Sequence, residues 1–293
     1  MKKMLFVINP NAGRRKGRRY LADMIDVFNR AGYQVDVHTT ACQGDGENAV
    51  AQRAAGMDLV VCCGGDGTFN ETVSGLLKSG ANVPVGYIPA GSTNDFANTL
   101  GLNKKLVKAA KQIVSGEPMD IDIGKFGDRY FTYVASFGAF THASYATSQS
   151  VKNALGHTAY LLKGITELSQ IKKVRVKLTL DDEVIEDDFI FGAICNSTSV
   201  GGVLKLDPSL VDMADGKFEI MLVHRPRSLG EITKCLRALR KKKYDCKMIT
   251  FRSASHVTVT APESMPWSLD GEKAEGQATI EVSNLYHGIK LMK

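Results

Sequence analysis

The feature that most constrains this chain is an apolar run that passes straight into a cluster of glycines. Residues 58–63 read as a strand, Gly64-Gly65-Asp66-Gly67-Thr68 follows without a linker, and residues 70–78 carry helical spacing. Three glycines in four residues exceed what a hairpin turn needs, and a hairpin would lead into a second strand. Glycines instead let a backbone approach a phosphate closely and aim several N–H groups at it. The following helix adds the positive end of its dipole. Asp66 offers a carboxylate where a cation or a water must be held beside phosphates. The loop is neither a Walker A sequence nor a dinucleotide fingerprint, because both need other glycine spacings.

The same alternation surrounds it. Residues 4–8 read as a buried strand, residues 18–31 as a helix with Leu21, Met24, Ile25 and Phe28 on one face, and residues 33–39 as a second strand. A helix over 47–55 precedes the glycine-cluster strand, and a fourth strand over 83–88 follows it. Strands that alternate with helices to about residue 125 predict an α/β domain with a parallel sheet. Ligands of such sheets sit at the carboxyl ends of the strands. The loops that start at Asn9, Thr39, Gly64 and Pro89 are therefore expected to meet.

The pattern then changes. Residues 130–136, 173–180, 189–196, 217–224, 256–260 and 278–282 read as strands, and only 159–168 and 229–241 as helices. This half is expected to be mainly antiparallel and to fold as a β-sandwich.

With 293 residues, 44% hydrophobic and 23% charged, the chain has the balance of a globular protein of two domains. No Cys-x-x-Cys pair is present, so zinc is not expected; Cys62 and Cys63 read as small core residues of a reduced, cytoplasmic protein. Lys2 and Lys3 precede an apolar run too short for a signal peptide, and no stretch has the length of a membrane span. The net charge of +6 suits anionic partners, yet no basic block resembles a nucleic-acid module, so nucleic acid is not an expected partner. The basic run 237–243 reads either as a solvated helix end or as a patch facing an anionic membrane.

Two further loops carry chemistry. Asn9-Pro10-Asn11-Ala12-Gly13-Arg14-Arg15-Lys16 joins a tight turn to a group of cations suited to a polyphosphate tail. Pro89-Ala90-Gly91-Ser92-Thr93-Asn94-Asp95 offers small hydroxyl and amide groups that could bind phosphate or ribose, or could simply cap the next helix. These loops, with Asn70-Glu71-x-x-x-Gly75, Asn94-Asp95-Phe96, Asp120-x-Asp122-x-Gly124, Asp215-Gly216 and Leu269-Asp270-Gly271-Glu272, occur in one order across nearly the whole chain. That ordered set resembles the diacylglycerol kinase catalytic-domain family, which includes sphingosine and ceramide kinases, and most closely its small soluble bacterial members.

The resemblance implies an ATP-binding α/β domain over 1–125, with 286–293 returning to it, and a lipid-substrate β-sandwich over 126–285, with the active site in the cleft between them. It implies ATP and Mg2+, with Asp66 and Asp122 holding the catalytic magnesium through water. Glu272 would be the general base, supported by Asp270, in a reaction to which Asp66 also contributes. Asn9, Pro10, Arg14, Thr40, Gly65, Gly67, Thr68, Gly91, Ser92, Thr93 and Asn94 would line the nucleotide site, and Arg19 and Lys163 fall where bacterial members carry functional cations. The family's paired acids ahead of the Asp215-Gly216 glycine are interrupted here by Ala214. Asp212, Asp215 and the Met213 carbonyl still offer oxygens for a structural cation.

The implied function is an ATP-dependent lipid kinase that acts on diacylglycerol at the inner face of a membrane, bound peripherally; a homodimer fits the bacterial relatives. Other lipid acceptors (sphingoid bases, ceramide, monoacylglycerol, phosphatidylglycerol) stay open, because one apolar pocket resembles another. NAD kinases and phosphofructokinases also use a Gly-Gly-Asp-Gly loop, but Asn94-Asp95-Phe96 and Leu269-Asp270-Gly271-Glu272 resemble the lipid kinases. A non-catalytic lipid or nucleotide sensor would be expected to lose Asp66 or Glu272, and both are present.

Overall fold

The computed structural model describes residues 1–138, 173–200, 204–226 and 228–293. The expected helix over 159–168 and the candidate cation Lys163 lie outside the described residues. The chain divides into two units: Met1–Ile123 with Leu285–Lys293, and Gly124–Asn284.

In the first unit the strands are β1 (Lys2–Ile8), β2 (Tyr33–Thr39), β3 (Leu59–Gly64) and β4 (Val85–Pro89). They lie in the order β2-β1-β3-β4, all parallel, and Leu291 adds a parallel residue beside Val85. β3 is buried along its whole length, as a central parallel strand covered on both faces must be. Alternation assigns its two cysteines to opposite faces. Cys63 joins Phe6, Ile8, Phe28, Leu106 and Ile113 in one core, whereas Cys62 faces Thr72 on the other side. Burial pushes the Cys63 thiol up to about 12, which keeps it an inert packing group.

The helices are α1 (Lys16–Arg19), α2 (Leu21–Arg30), α3 (Asp45–Arg53), α4 (Asp66–Ser79), α5 (Asp95–Thr99) and α6 (Leu106–Ser115). Two depart from expectation. The continuous helix over 18–31 is broken at Tyr20, whose backbone leaves helical geometry at φ −105°, ψ 12°. The helix after the glycine cluster begins at Asp66 rather than at residue 70. Gly65 is the last extended residue, at ψ −174°, so Gly67 and Thr68 belong to the first helical turn, where the low helix propensity of glycine had hidden them.

The strands β1 and β3 flank the point at which the sheet order reverses. Register places Ile8 beside Thr39 and Cys63, and Gly64 beside Pro89, so the four following loops start at one level.

The chain leaves the first unit along β5 (Pro118–Phe126). The second unit continues with β6 (Arg129–Phe131), β7 (Val134–Gly138), β8 (Val174–Leu180), β9 (Glu183–Cys195), β10 (Ser199–Val200), β11 (Leu204–Lys205) and β12 (Phe218–His224). A helix α7 (Leu229–Arg240) leads to β13 (Ile249–Ala254), β14 (His256–Thr260), β15 (Trp267–Leu269), β16 (Glu272–Ala274) and β17 (Thr279–Met292), whose last residues belong to the first unit. Pairing is antiparallel along the order β16-β15-β7-β9-β8-β14-β17, with β12 added beside β9 and β13 beside β12. Trp267 is fully buried between Phe126 and Phe137, with ring centroids 4.8 and 5.1 Å away. Burying such a side chain contributes on the order of 3 kcal/mol.

The strand expected over 130–136 is two strands, β6 and β7. The interruption has a cause: the N–H groups of Thr132 and Tyr133 turn to a carboxylate instead of a neighbouring strand.

A glycine-closed loop cluster and an acidic hairpin

The loops after β1, β3 and β4 touch through glycine. A side chain on Gly13, whose φ is +43°, would stand 1.8 Å from the Ala90 carbonyl oxygen. One on Gly91 would stand 2.5 Å from the Gly65 Cα. By contrast, among the described residues a Cβ on Gly65 would meet only the Gly91 Cα, at 3.4 Å. Hydrogen bonds fix the cluster. The N–H groups of Ala90 and Gly91 donate to the Gly64 carbonyl at 2.7 and 3.1 Å, the Asn9 N–H donates to Cys63, and the Asn9 amide donates to the Thr68 hydroxyl at 3.2 Å. Pro10 follows Asn9 in the same turn, and Thr40 enters the same level by donating its N–H to Ile8.

Asn94 sits in the left-handed region at φ +52°, which asparagine tolerates. Its amide donates to the Gly91 carbonyl at 2.8 Å and its oxygen accepts from the Tyr87 hydroxyl. Burial, with the nearby Asp66 charge second, pushes the Tyr87 phenol well above its ordinary value, so it remains a donor. Ser92 and Thr93 are exposed in the same loop. Asn94, the N-cap residue of α5, gives the helix no side-chain hydrogen bond. The cap comes from Asp66, whose carboxylate oxygens accept the N–H groups of Asp95 and Phe96 at 3.1 and 3.2 Å.

Asp95, absent from the candidate site residues, is almost fully buried here. Its place directly after an asparagine at a helix start was the available signal. Asp122 is fully buried and accepts the His287 N–H at 2.8 Å. Among the described residues no three His, Cys, Asp or Glu side chains gather closely enough to ligate a metal directly. Asp66 is partly exposed at the start of α4, whereas Asp122 is fully buried. The backbone of Arg14 lies in the short 3-10 turn Gly13–Arg15, and Arg19 is exposed and stacked over Tyr20.

In the second unit, β15 and β16 form a hairpin in which Leu269 faces Glu272 across Asp270-Gly271. Both turn residues have positive φ, +51° and +87°, the geometry of a type I′ turn. This turn is anchored rather than solvated. Asp270 is only 5% exposed and accepts four hydrogen bonds, from the N–H and hydroxyl of Thr132 and the N–H groups of Tyr133 and Val134. Burial raises its carboxyl above the usual range despite those donors. Asn196, also buried, completes the knot by donating its amide to the Thr132 carbonyl. Glu272 stands half-buried at the first position after the turn. Neither Thr132 nor Asn196 was a candidate in the sequence, since Thr132 falls inside one expected strand and Asn196 at the end of another.

The loop ahead of β12 carries Asp212 and Asp215. Asp212 and Asp215 each close a local turn, accepting the N–H groups of Ala214 and Lys217, and Met213 is buried between them in sequence. Glu219 on β12 is 3% exposed, and one of its carboxylate oxygens has no hydrogen-bond partner among the described residues. Burial, reinforced by Asp215 and then Asp212, pushes this carboxyl up to about 8.

Two units of this kind, a parallel α/β unit with a glycine-closed loop cluster and a β-sandwich-like unit with an acidic hairpin, define the class of the two-unit kinase fold. Residues 3–126 match the diacylglycerol kinase catalytic domain, and residues 134–288 match the YegS C-terminal NAD kinase beta sandwich-like domain. The chain belongs to the diacylglycerol kinase catalytic-domain family. It is 33% identical to a diacylglycerol kinase of Bacillus subtilis (strain 168), over 100% of this chain and 96% of the relative. It is 30% identical to that of Staphylococcus carnosus (strain TM300), over 99% of this chain and 94% of the relative. The fold matches a crystal structure of a diacylglycerol kinase from Bacillus anthracis str. Sterne with a TM-score of 0.78 at 22% identity, covering 99% of this chain and 96% of that one.

Proposed function

We propose that this protein is an ATP-dependent lipid kinase that transfers a phosphoryl group to the free hydroxyl of diacylglycerol. The observation that carries the reading is the extent of the match: the relatives named diacylglycerol kinase align over both units, at 33% identity for the first of them, and not over the glycine loop alone. NAD kinases share that loop, so a match confined to it would not separate the two.

The chemistry assigns work to named groups. Phosphoryl transfer needs positioning and neutralisation of charge more than covalent help. The backbone around Gly65, Gly67 and Gly91, with the Asn9, Thr40, Thr68, Ser92, Thr93 and Asn94 side chains, would cradle the phosphates and ribose. Arg14, Arg19 and Lys163 would offset their charge. Asp66 and Asp122 would hold magnesium, which supplies charge neutralisation when bound. Glu272 would take the proton of the attacking hydroxyl, and Asp270 would fix the turn that carries it. The loop of Asp212, Met213 and Asp215 offers two carboxylates and a carbonyl to a structural cation.

No described helix is long and apolar enough to cross a membrane. Access to a lipid would come through peripheral docking from the cytoplasm. The exposed Arg237, Arg240, Lys241 and Lys243 at the end of α7 give an anionic surface something to attract. A homodimer fits this reading.

The test is incubation with labelled ATP, magnesium and separate acceptors: diacylglycerol, a sphingoid base, ceramide, monoacylglycerol, phosphatidylglycerol, NAD and fructose phosphates. Labelled phosphatidic acid is expected. Label confined to NAD or a sugar phosphate would overturn the lipid-kinase reading, and label on another lipid would change the acceptor.

A further inference from the structure

The motif Asn70-Glu71-x-x-x-Gly75 has no part in the roles given so far. Glu71 lies on α4, one turn beyond the glycine cluster, yet its carboxylate reaches the loop after β2. It accepts the Gly44 N–H at 2.8 Å and the Gly46 N–H at 3.1 Å. Helix α3 needs this: its N-cap is Gly44, in the left-handed region at φ +81°, and no side chain of its own caps it. Gly75, one turn further along α4, has no room for a side chain, which would stand 2.4 Å from the Glu47 carbonyl oxygen and 2.8 Å from Val50. The two motif residues therefore clamp α3 onto α4. The clamp is completed within the loop by Asp45, which accepts the Ala41 N–H at 2.7 Å. What the clamp holds is the segment 40–46, whose first residue, Thr40, is one of the candidate nucleotide contacts.

We infer that Glu71 is a positioning residue for the nucleotide: by capping α3 from α4 it sets the Thr40 loop at a fixed height beside the glycine cluster. The inference rests on the kinase reading above. Removing the carboxylate frees two part-buried N–H groups and lets the loop move relative to α4, which weakens ATP binding without touching the proton-transfer machinery.

Two variants and a control test it. In Glu71→Ala the KM for ATP rises about tenfold, while kcat and the KM for diacylglycerol in mixed micelles stay within about twofold. Gly46→Ala leaves Glu71 in place, but its new methyl would lie 2.9 Å from the Glu71 carboxylate and push it aside, so the KM for ATP rises in the same direction with little loss of thermal stability. Val50→Ala destabilises the α3–α4 contact without reaching the loop, and its KM for ATP stays at the wild-type value. Hydrogen exchange of the 40–46 amides is faster in Glu71→Ala and Gly46→Ala only. An unchanged KM for ATP in both variants, or an equal rise in Val50→Ala, overturns the inference. A wild-type protein that neither turns over nor binds ATP sinks the kinase reading as well; with an active wild type, those same results count against Glu71 alone.

Discussion

The carboxylate of Asp270 receives both the N–H and the hydroxyl of Thr132, at 2.6 and 2.8 Å, across 138 residues of sequence. The hairpin that presents Glu272 is thereby tied to the β6–β7 break. Asp270→Asn would place an amide donor against N–H donors, and Asp270→Ala would leave four donors short of an acceptor. Each is expected to cost about 3 kcal/mol of stability or more, read from urea denaturation. Full stability in Asp270→Ala would remove the anchoring role.

Glu272 is expected to behave differently. Glu272→Gln keeps the shape and the turn, so thermal stability changes little while turnover falls by about 100-fold or more. Asp66 combines two tasks. Asp66→Ala should abolish most turnover and also cost about 1 kcal/mol, because it uncaps α5. Steady-state kinetics alongside melting curves separate the two; wild-type turnover in either variant would exclude that residue from the reaction.

Gly13→Ala and Gly91→Ala test the loop cluster. The first demands both a strained φ and the displacement of the Ala90 carbonyl, the second the displacement of Gly65. Loss of ATP binding by more than about tenfold is expected from each, with a drop of a few degrees in melting temperature. Calorimetric titration with ATP checks it.

Glu219 predicts a dependence of stability on pH. Its folded-state pKa, about 8, lies above the unfolded value of 4.5. The folded state therefore holds the extra proton, and the contribution is fully present below pH 4.5 and lost as pH rises through 8. Between about pH 6 and pH 9, in chelator, the wild type should lose several degrees of melting temperature more than Glu219→Gln. Parallel curves for the two proteins would contradict the raised carboxyl.

Binding to vesicles should follow charge. Anionic vesicles are expected to bind more tightly than neutral ones, and the difference should shrink as salt rises to about 0.5 M. Equal sedimentation with both vesicle types would argue against electrostatic docking.

The parallel half of the fold was legible because its signals are local. The apolar run of β3, the glycine cluster and the α2 face with Met24 and Phe28 each declare themselves within a few residues. The candidate site was legible only as residue types in loops. That Asp66 caps α5, that Glu71 caps α3 and that Asp270 anchors the β6–β7 break were hidden, because each joins a side chain to backbone N–H groups far away in sequence. Backbone donors leave no trace in residue identity. For the same reason β15 and β16, three residues each, carry no strand signal of their own: their pairing depends on a turn stabilised from elsewhere.

The first unit draws on two segments far apart in the sequence. Leu291 lies beside Val85, Glu117 and Lys293 exchange backbone hydrogen bonds, and His287 donates to Asp122. During translation the nascent α/β unit must therefore wait, its β4 border bare and Asp122 lacking its amide donor, until the second unit has been synthesised and residues 285–293 have left the ribosome. A truncated product that stops short of them would carry every glycine of the loop cluster and still lack a finished sheet beneath it.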